Sequence, residues 1–409
     1  MISRRSFMNR ALACGLLSQL PRLGFAAAAG DSRFVLVILR GALDGLTAAP
    51  PYGDPAYAAA RRELAIASPR GSAGALELDS TFGLHPALKS LHQRFEKREL
   101  AVLHAVASPY RERSHFDGQN VLENGTPAPS GGASGWLNRA VAMLPPAAHG
   151  APHELGLALG QNVPLVLRGD ARVTSWAPSL LPEVEPDTLA RLADLYTADP
   201  LLAMRLNEAT AIDALADAQM GEERGARQAA ARPGTGNIAR LKLMASTAGK
   251  FLAAVDGPRI AVLDATGWDT HAQEGAATGQ LAQRLEGLDS VLDTLAVALQ
   301  PVWQHSAIMV VTEFGRTVAL NGTRGTDHGT GTCAFLLGGA VNGGRVIADW
   351  PGLSANALYE GRDLKPTLDL RAVFKGILQQ HYDISTRQLE DSIFPSSSSA
   401  HPVPDLLRA

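Results

Sequence analysis

Four stretches of strand length in this chain are apolar at nearly every position: RFVLVIL (33–39), LAVLHAV (100–106), RIAVLDA (259–265) and SAIMVVT (306–312). A strand with one wet face alternates polar and apolar residues. Unbroken apolar runs instead suit strands covered on both faces, as in a parallel sheet. Between the third and fourth runs, Leu281, Leu285, Leu288, Leu292, Leu295 and Leu299 recur at spacings of four and three, with Pro301 just beyond them. That period places all six on one helix face, and the proline ends the helix. Strand, helix, strand is the βαβ unit of a doubly wound α/β fold: a mostly parallel sheet with helices on both faces. The remaining pattern predicts a single α/β domain over 31–395, with a helical insertion at about 187–250 and a flexible tail at 396–409. The stretches at 145–153 and 231–237 are predicted as loops.

The first 30 residues read differently. Arg4 and Arg5 are followed by Phe7, a modest apolar stretch and the small residues of 26–30. This is the pattern of a twin-arginine export signal, residues 1–30, which implies the translocation machinery as a partner and a periplasmic location. The apolar stretch is too short and interrupted to span a bilayer, and no later segment qualifies. Among 409 residues the only cysteines are Cys14 and Cys333, so loss of the signal leaves no disulfide framework. The net charge of −3 gives no basic surface for nucleic acid. Export in the folded state suits a protein that acquires a metal before it leaves the cytoplasm.

Each apolar run leads straight into a loop that carries chemistry. Asp44 follows the first, Ser114 and His115 the second, and Asp269 and His271 the third. The stretch VVTEFGRTVALNGTRGTDHGTGTCAFLLGG (310–339) puts Glu313, Arg316, Asp327 and His328 among glycines after the fourth. A loop near 20 residues long inside a compact domain is usually functional. Ligand sites of open α/β sheets form outside the carboxyl ends of the strands, so these loops are expected to converge. Asp, Glu and His without paired cysteines suit a divalent metal such as zinc, manganese, iron or magnesium. The expected ligands are Asp44, Asp269, His271, Glu313, Asp327 and His328. Asp327 and His328 are adjacent, so one is expected to bind while the other orients a ligand. Ser114 could cap a helix or act as a nucleophile beside the metal, together with His115. Arg316 and Arg40 lie closest to strand ends and are the candidates to hold an anionic group. The remaining histidines lack acidic partners at useful spacing and read as core or surface residues.

The motifs LVILRGALDGL, FGLHPAL, RSHFDGQNVLENG, GWDTHAQ, VVTEFGRT, TDHGTG and GGRVIADWPGL resemble, in order and over nearly the whole chain, the bacterial DUF1501 family. That resemblance implies a fold related to the alkaline phosphatase superfamily of phosphatases and sulfatases. It would match Asp44 to the first metal ligand, Ser114 to the nucleophile, Asp269 and His271 to an Asp–His loop, Glu313 to the acidic member of an acidic–His pair, and His328 to the last histidine. Two departures stand out. Asp269 and His271 are two apart where that loop usually spaces them by four, and Phe314 occupies the place of a histidine after Glu313. Neither SPYRERSH (108–115) nor the surroundings of Cys333 supplies the Pro two residues after a Cys or Ser, and then Arg, that formylglycine formation requires.

These readings lead to an exported metal-dependent hydrolase of phosphate or sulfate esters, with attack by Ser114 or by water. The alternative is a non-catalytic periplasmic metal-binding or assembly protein that keeps the fold. An oxidoreductase is disfavoured because no dinucleotide-binding glycine pattern follows a strand.

Overall fold

The computed structural model describes residues 31–69, 71, 73–145, 155–178, 186–204, 206, 207, 209, 210 and 237–408. The expected export signal (1–30) lies outside them, as do most of the two expected loops and residues 211–236 of the expected helical insertion. Of that insertion, helices Pro186–Tyr196 and Asn237–Ala253 are described.

The strands are β1 (Arg33–Arg40), β2 (Leu76–Glu77), β3 (Gly83–Leu84), β4 (Leu100–Ala107), β5 (Gly156–Leu159), β6 (Val173–Trp176), β7 (Ile260–Thr266), β8 (Ser306–Val311), β9 (Thr332–Leu337), β10 (Arg345–Ile347) and β11 (Leu368–Asp369). All but the β2–β3 pair join one sheet, in the order β10-β4-β9-β8-β1-β7-β5-β6, with β11 also on β4. Its pairings are parallel except those of β9, which runs antiparallel to both β4 and β8. The chain thus forms a large, mostly parallel sheet flanked by helices. The four apolar runs are β1, β4, β7 and β8.

Both faces of the sheet are covered. The main helices are α1 (Gly45–Ala48), α2 (Lys89–Glu96), α3 (His115–Asn124), α4 (Asn237–Ala253), α5 (Gln280–Ala298) and α6 (Leu370–Tyr382). Val35, Val37 and Leu39 of β1 face the leucines of α5 and the apolar residues of α4. Phe34, Leu36 and Ile38 face the opposite layer, which includes Phe374 of α6 and Trp136. Because successive residues of a strand point to opposite faces, a strand buried on both sides must be apolar throughout. All six leucines at the α5 spacing lie in the core, and Pro301 sits at the start of the 3₁₀ turn after that helix. Segment 396–408, expected as a flexible tail, packs against the body instead. Leu406 is fully buried, the Val403 N–H donates to the Ala372 carbonyl, and the Arg408 N–H donates to that of Ala340.

The reversal at β9 positions the site. β1, β4, β7 and β8 all end at one edge, and β9 begins there. The segment between β8 and β9 therefore leaves and re-enters the sheet at the same edge. It is also not structureless: Arg316 and His328 form an antiparallel bridge, and Gly315 N–H bonds the Thr330 carbonyl.

Candidate metal centre

The loops converge through close backbone approaches. Gly41, after β1, has φ +120°, and a Cβ there would stand 2.7 Å from the Asp269 nitrogen. A Cβ on Gly325 would stand 2.4 Å from the His271 carbonyl carbon. Glycine is needed at both places because the 267–275 loop lies flush against its neighbours.

Three side chains from three segments form the centre. Ligand atoms of His115, at the start of α3, Asp269, after β7, and His328, in the β8–β9 segment, all lie within 4.8 Å of one another. His115 Nε2 is 2.9 Å from His328 Nε2 and 3.4 Å from Asp269 Oδ2. His328 Nε2 is 3.3 Å from Asp269 Oδ1. His271 stands alongside, its Nε2 3.0 Å from both His328 Nε2 and Asp269 Oδ1. Donors bound to one tetrahedral zinc at about 2.0–2.1 Å would lie about 3.3 Å apart. The spacing of the group fits a small divalent ion.

The hydrogen bonds on the far side of each ring strengthen the fit. His328 Nδ1 is 3.0 Å from the Arg113 carbonyl oxygen, which can only accept, so Nδ1 carries the proton. His115 Nδ1 lies 2.8 Å from Glu313 Oε1, and His271 Nδ1 lies 3.3 Å from Asp327 Oδ1. With Nδ1 donating in all three, the neutral rings turn Nε2 lone pairs toward one another. Two contacts between such nitrogens at 2.9 and 3.0 Å repel unless cationic charge lies between them. Two extra protons would supply it, and so would one divalent ion. Carboxylates or carbonyls fixing the far nitrogen are the usual support of metal-bound histidines.

Glu313 is fully buried behind His115. Its carboxylate accepts from the Gly41 N–H, the Thr312 hydroxyl and Gln119 Nε2 as well. Burial opposes its ionisation, but these donors, led by His115, outweigh that and hold its pKa below the usual value. The Glu313 hydrogen bond in turn raises the pKa of His115, whereas burial and the neighbouring His115 lower that of His328. Burial also opposes ionisation of Asp269, and the Arg316 guanidinium outweighs it.

The structure therefore sorts the expected residues. Asp269 and His328 fall in the three-residue group, with His271 beside it. Glu313 and Asp327 lie behind His115 and His271 as orienting carboxylates. His115, expected to work with Ser114 in catalysis, stands among the ligand atoms. Asp44 is elsewhere: fully buried, it caps α1 through the Leu46 and Thr47 N–H groups and pairs with Arg61. Its sequence, Asp-Gly-Leu-Thr, suits a helix cap as well as a ligand. Arg316 is 1% exposed and tied to Asp269 and Thr326, while Arg40 is paired with Glu123 and Asp264. Both guanidinium groups are thus already engaged by carboxylates. Ser114 occupies the N-cap position of α3, but its side chain makes no capping bond.

Sequence reasoning missed Gln119, the Arg113 carbonyl and a buried Asp44–Arg61–Glu274 cluster. Gln119 lies one helical turn after His115, a spacing that could have indicated it. Nothing in the sequence connects Arg61 or Glu274 to Asp44.

Comparison with known proteins adds a family but no chemistry. A family model described as "Protein of unknown function (DUF1501)" matches residues 31–393. No curated protein matches the chain. Among solved structures, one similar chain is that of "Crystal structure of Ps i-CgsB in complex with k-i-k-neocarrahexaose", at 10% identity and a TM-score of 0.39, covering 91% of this chain and 77% of that one. At that score the two share too little geometry for the site to be read across.

Proposed function

The chain belongs to the DUF1501 family, whose description assigns no activity, and from its own site we propose a metal-dependent hydrolase of phosphate or sulfate esters. The observation that carries the reading is the set of inward-facing Nε2 atoms of His115, His271 and His328, closed by the Asp269 carboxylate. We read the fold as one of the alkaline phosphatase type, on the strength of those loops gathered at the carboxyl edge of a mostly parallel sheet. The paired arginines at positions 4 and 5 support export by the twin-arginine machinery and a periplasmic site of action.

A bound divalent ion would act as a Lewis acid, lowering the pKa of the nucleophile and offsetting charge on the ester oxygens. The chain does the rest. His115, Asp269 and His328 hold the ion, Glu313 and Asp327 fix the imidazole tautomers, and Arg316 pins Asp269. Ser114 precedes His115 with its hydroxyl free of any helix-capping bond, and we assign its oxygen the attack on the ester phosphorus or sulfur. The bond to the alcohol breaks, the serine proton ends on the departing alcohol, and water then hydrolyses the serine ester.

The commitment of Arg40 and Arg316 to carboxylates favours a second reading, in which the protein holds metal without turning over an ester. One set of measurements separates the two. The full chain purified from the periplasm should carry at least one equivalent of zinc, manganese, iron or magnesium, and His115→Ala and His328→Ala should each weaken retention. Activity on a panel of aryl phosphates and sulfates supports the hydrolase. Metal with no activity supports the binding protein. A metal-free chain whose melting is indifferent to added metal or chelator would falsify both.

A further inference from the structure

We infer that the chain has a second binding site, for an apolar molecule bearing one carboxylate, between the sheet and the helix pair α4–α5. A cavity of about 320 Å³ lies there. Val37 and Leu263 of the sheet, Leu241, Leu288 and Val291 of the helices, and Trp268 line it. At about 30 Å³ per water-sized group, it has room for about ten heavy atoms. Cavities of this character take apolar ligands held by a few polar groups.

Among the described residues, one charged side chain interrupts the lining. Arg284 of α5 contributes to the cavity, and its Nη1 is buried with no hydrogen-bond partner among those residues. By contrast Arg40, Arg61, Arg113 and Arg316, near the same edge of the sheet, are each paired with a carboxylate. A buried guanidinium N–H left unbonded is costly, and a ligand oxygen would remove that cost. Asn237 and Thr266 also border the cavity and offer further polar groups to the same ligand. The charge narrows the class. One guanidinium compensates one negative charge, so a dianion would bury uncompensated charge in an apolar wall. The flat fork of arginine also matches a carboxylate. The occupant is therefore a medium-chain or aryl carboxylate rather than a phosphate. This inference does not rest on the proposed hydrolase, because the cavity needs no cation.

The test uses the full chain with octanoate, octanol, octylammonium and inorganic phosphate, below micelle-forming concentrations, followed by calorimetry and tryptophan fluorescence. Octanoate should bind saturably at one equivalent, about tenfold or more tighter than octanol, with no response to the cation or to phosphate. A chelator should leave octanoate binding unchanged, which keeps this outcome separate from that of the metal centre. Arg284→Met should lose the preference for octanoate while still binding octanol. The proposal is overturned if the parent protein shows no saturable octanoate binding, or binds octanol or the octyl cation equally well. Equal octanoate binding by Arg284→Met overturns it too. The discrimination among probes by the parent protein decides the matter even where the variant fails to fold.

Discussion

His115 shows what residue types reveal and what they conceal. The sequence marks it as chemistry because it follows a buried strand and a helix begins with it. Its part depends on Glu313, 198 positions later, which accepts a hydrogen bond from its Nδ1–H and turns Nε2 inward. No spacing rule reports such a pairing. The same limit explains Asp44, whose neighbours in sequence fit a cap and a ligand equally, and whose partner Arg61 arrives from another segment. Two outcomes follow at this scale. Protons would compete with a metal for the Nε2 atoms, and Glu313 holds the His115 pKa above the ordinary 6.5. Metal affinity should therefore be steady above that raised value and weaken as pH drops below it, measured as Kd over a pH series. An affinity that stays flat down to pH 5 would contradict this. Ser114→Ala should abolish ester turnover, keep the metal, and change stability by less than about 0.5 kcal/mol, because no capping bond is lost. Retained turnover in that variant removes Ser114 from the mechanism.

At the scale of elements, the sequence disclosed the four long strands and the leucine face of α5, since burial writes itself into a period. It did not disclose direction. Apolar runs look alike whichever way a strand points, so the antiparallel β9 was hidden, and the four-residue β5 and β6 were too short to show a pattern. The α1 cap is likewise held by contacts between elements. Burial and the nearby Asp44 carboxylate push the pKa of Glu274 up to about 9, so at neutral pH Glu274 is protonated beside the Asp44–Arg61 pair. Arg61→Met leaves Asp44 buried without its counter-charge and should cost about 3–5 kcal/mol in urea unfolding. Adding Asp44→Asn should recover part of that loss. A loss under 1 kcal/mol would show that the pair is dispensable. Linkage fixes a further sign. The folded chain holds the Glu274 proton after the unfolded chain has released it at the ordinary value of 4.5. Its contribution is thus full below pH about 4.5 and is lost as pH rises toward about 9. Glu274→Gln should flatten that decline, and an unchanged pH–stability curve would remove Glu274 as its source.

For the whole molecule, the proposed function links export to metal. A twin-arginine route carries folded protein, and an ion that favours the assembled ligands favours the exportable state. Replacing Arg4 and Arg5 by Lys should leave the precursor in the cytoplasm, seen by fractionation. Mature protein in the periplasm at the usual level would count against the assignment.

The position of β9 also dictates when the molecule can exist during its synthesis. β4 is buried along its full length, yet its partners are β9, β10 and β11, all encoded beyond residue 331. A ribosome that has made four fifths of the chain has made β1, β7 and β8 but nothing for β4 to pair with. Until Thr332 emerges, eight apolar-rich residues wait unpaired and β8 lacks its neighbour on that side. Such exposed edges invite aggregation, and pairing across more than 220 positions is slow. The growing chain therefore depends on protection that the finished one does not need, and a product truncated before Thr332 should accumulate as insoluble material.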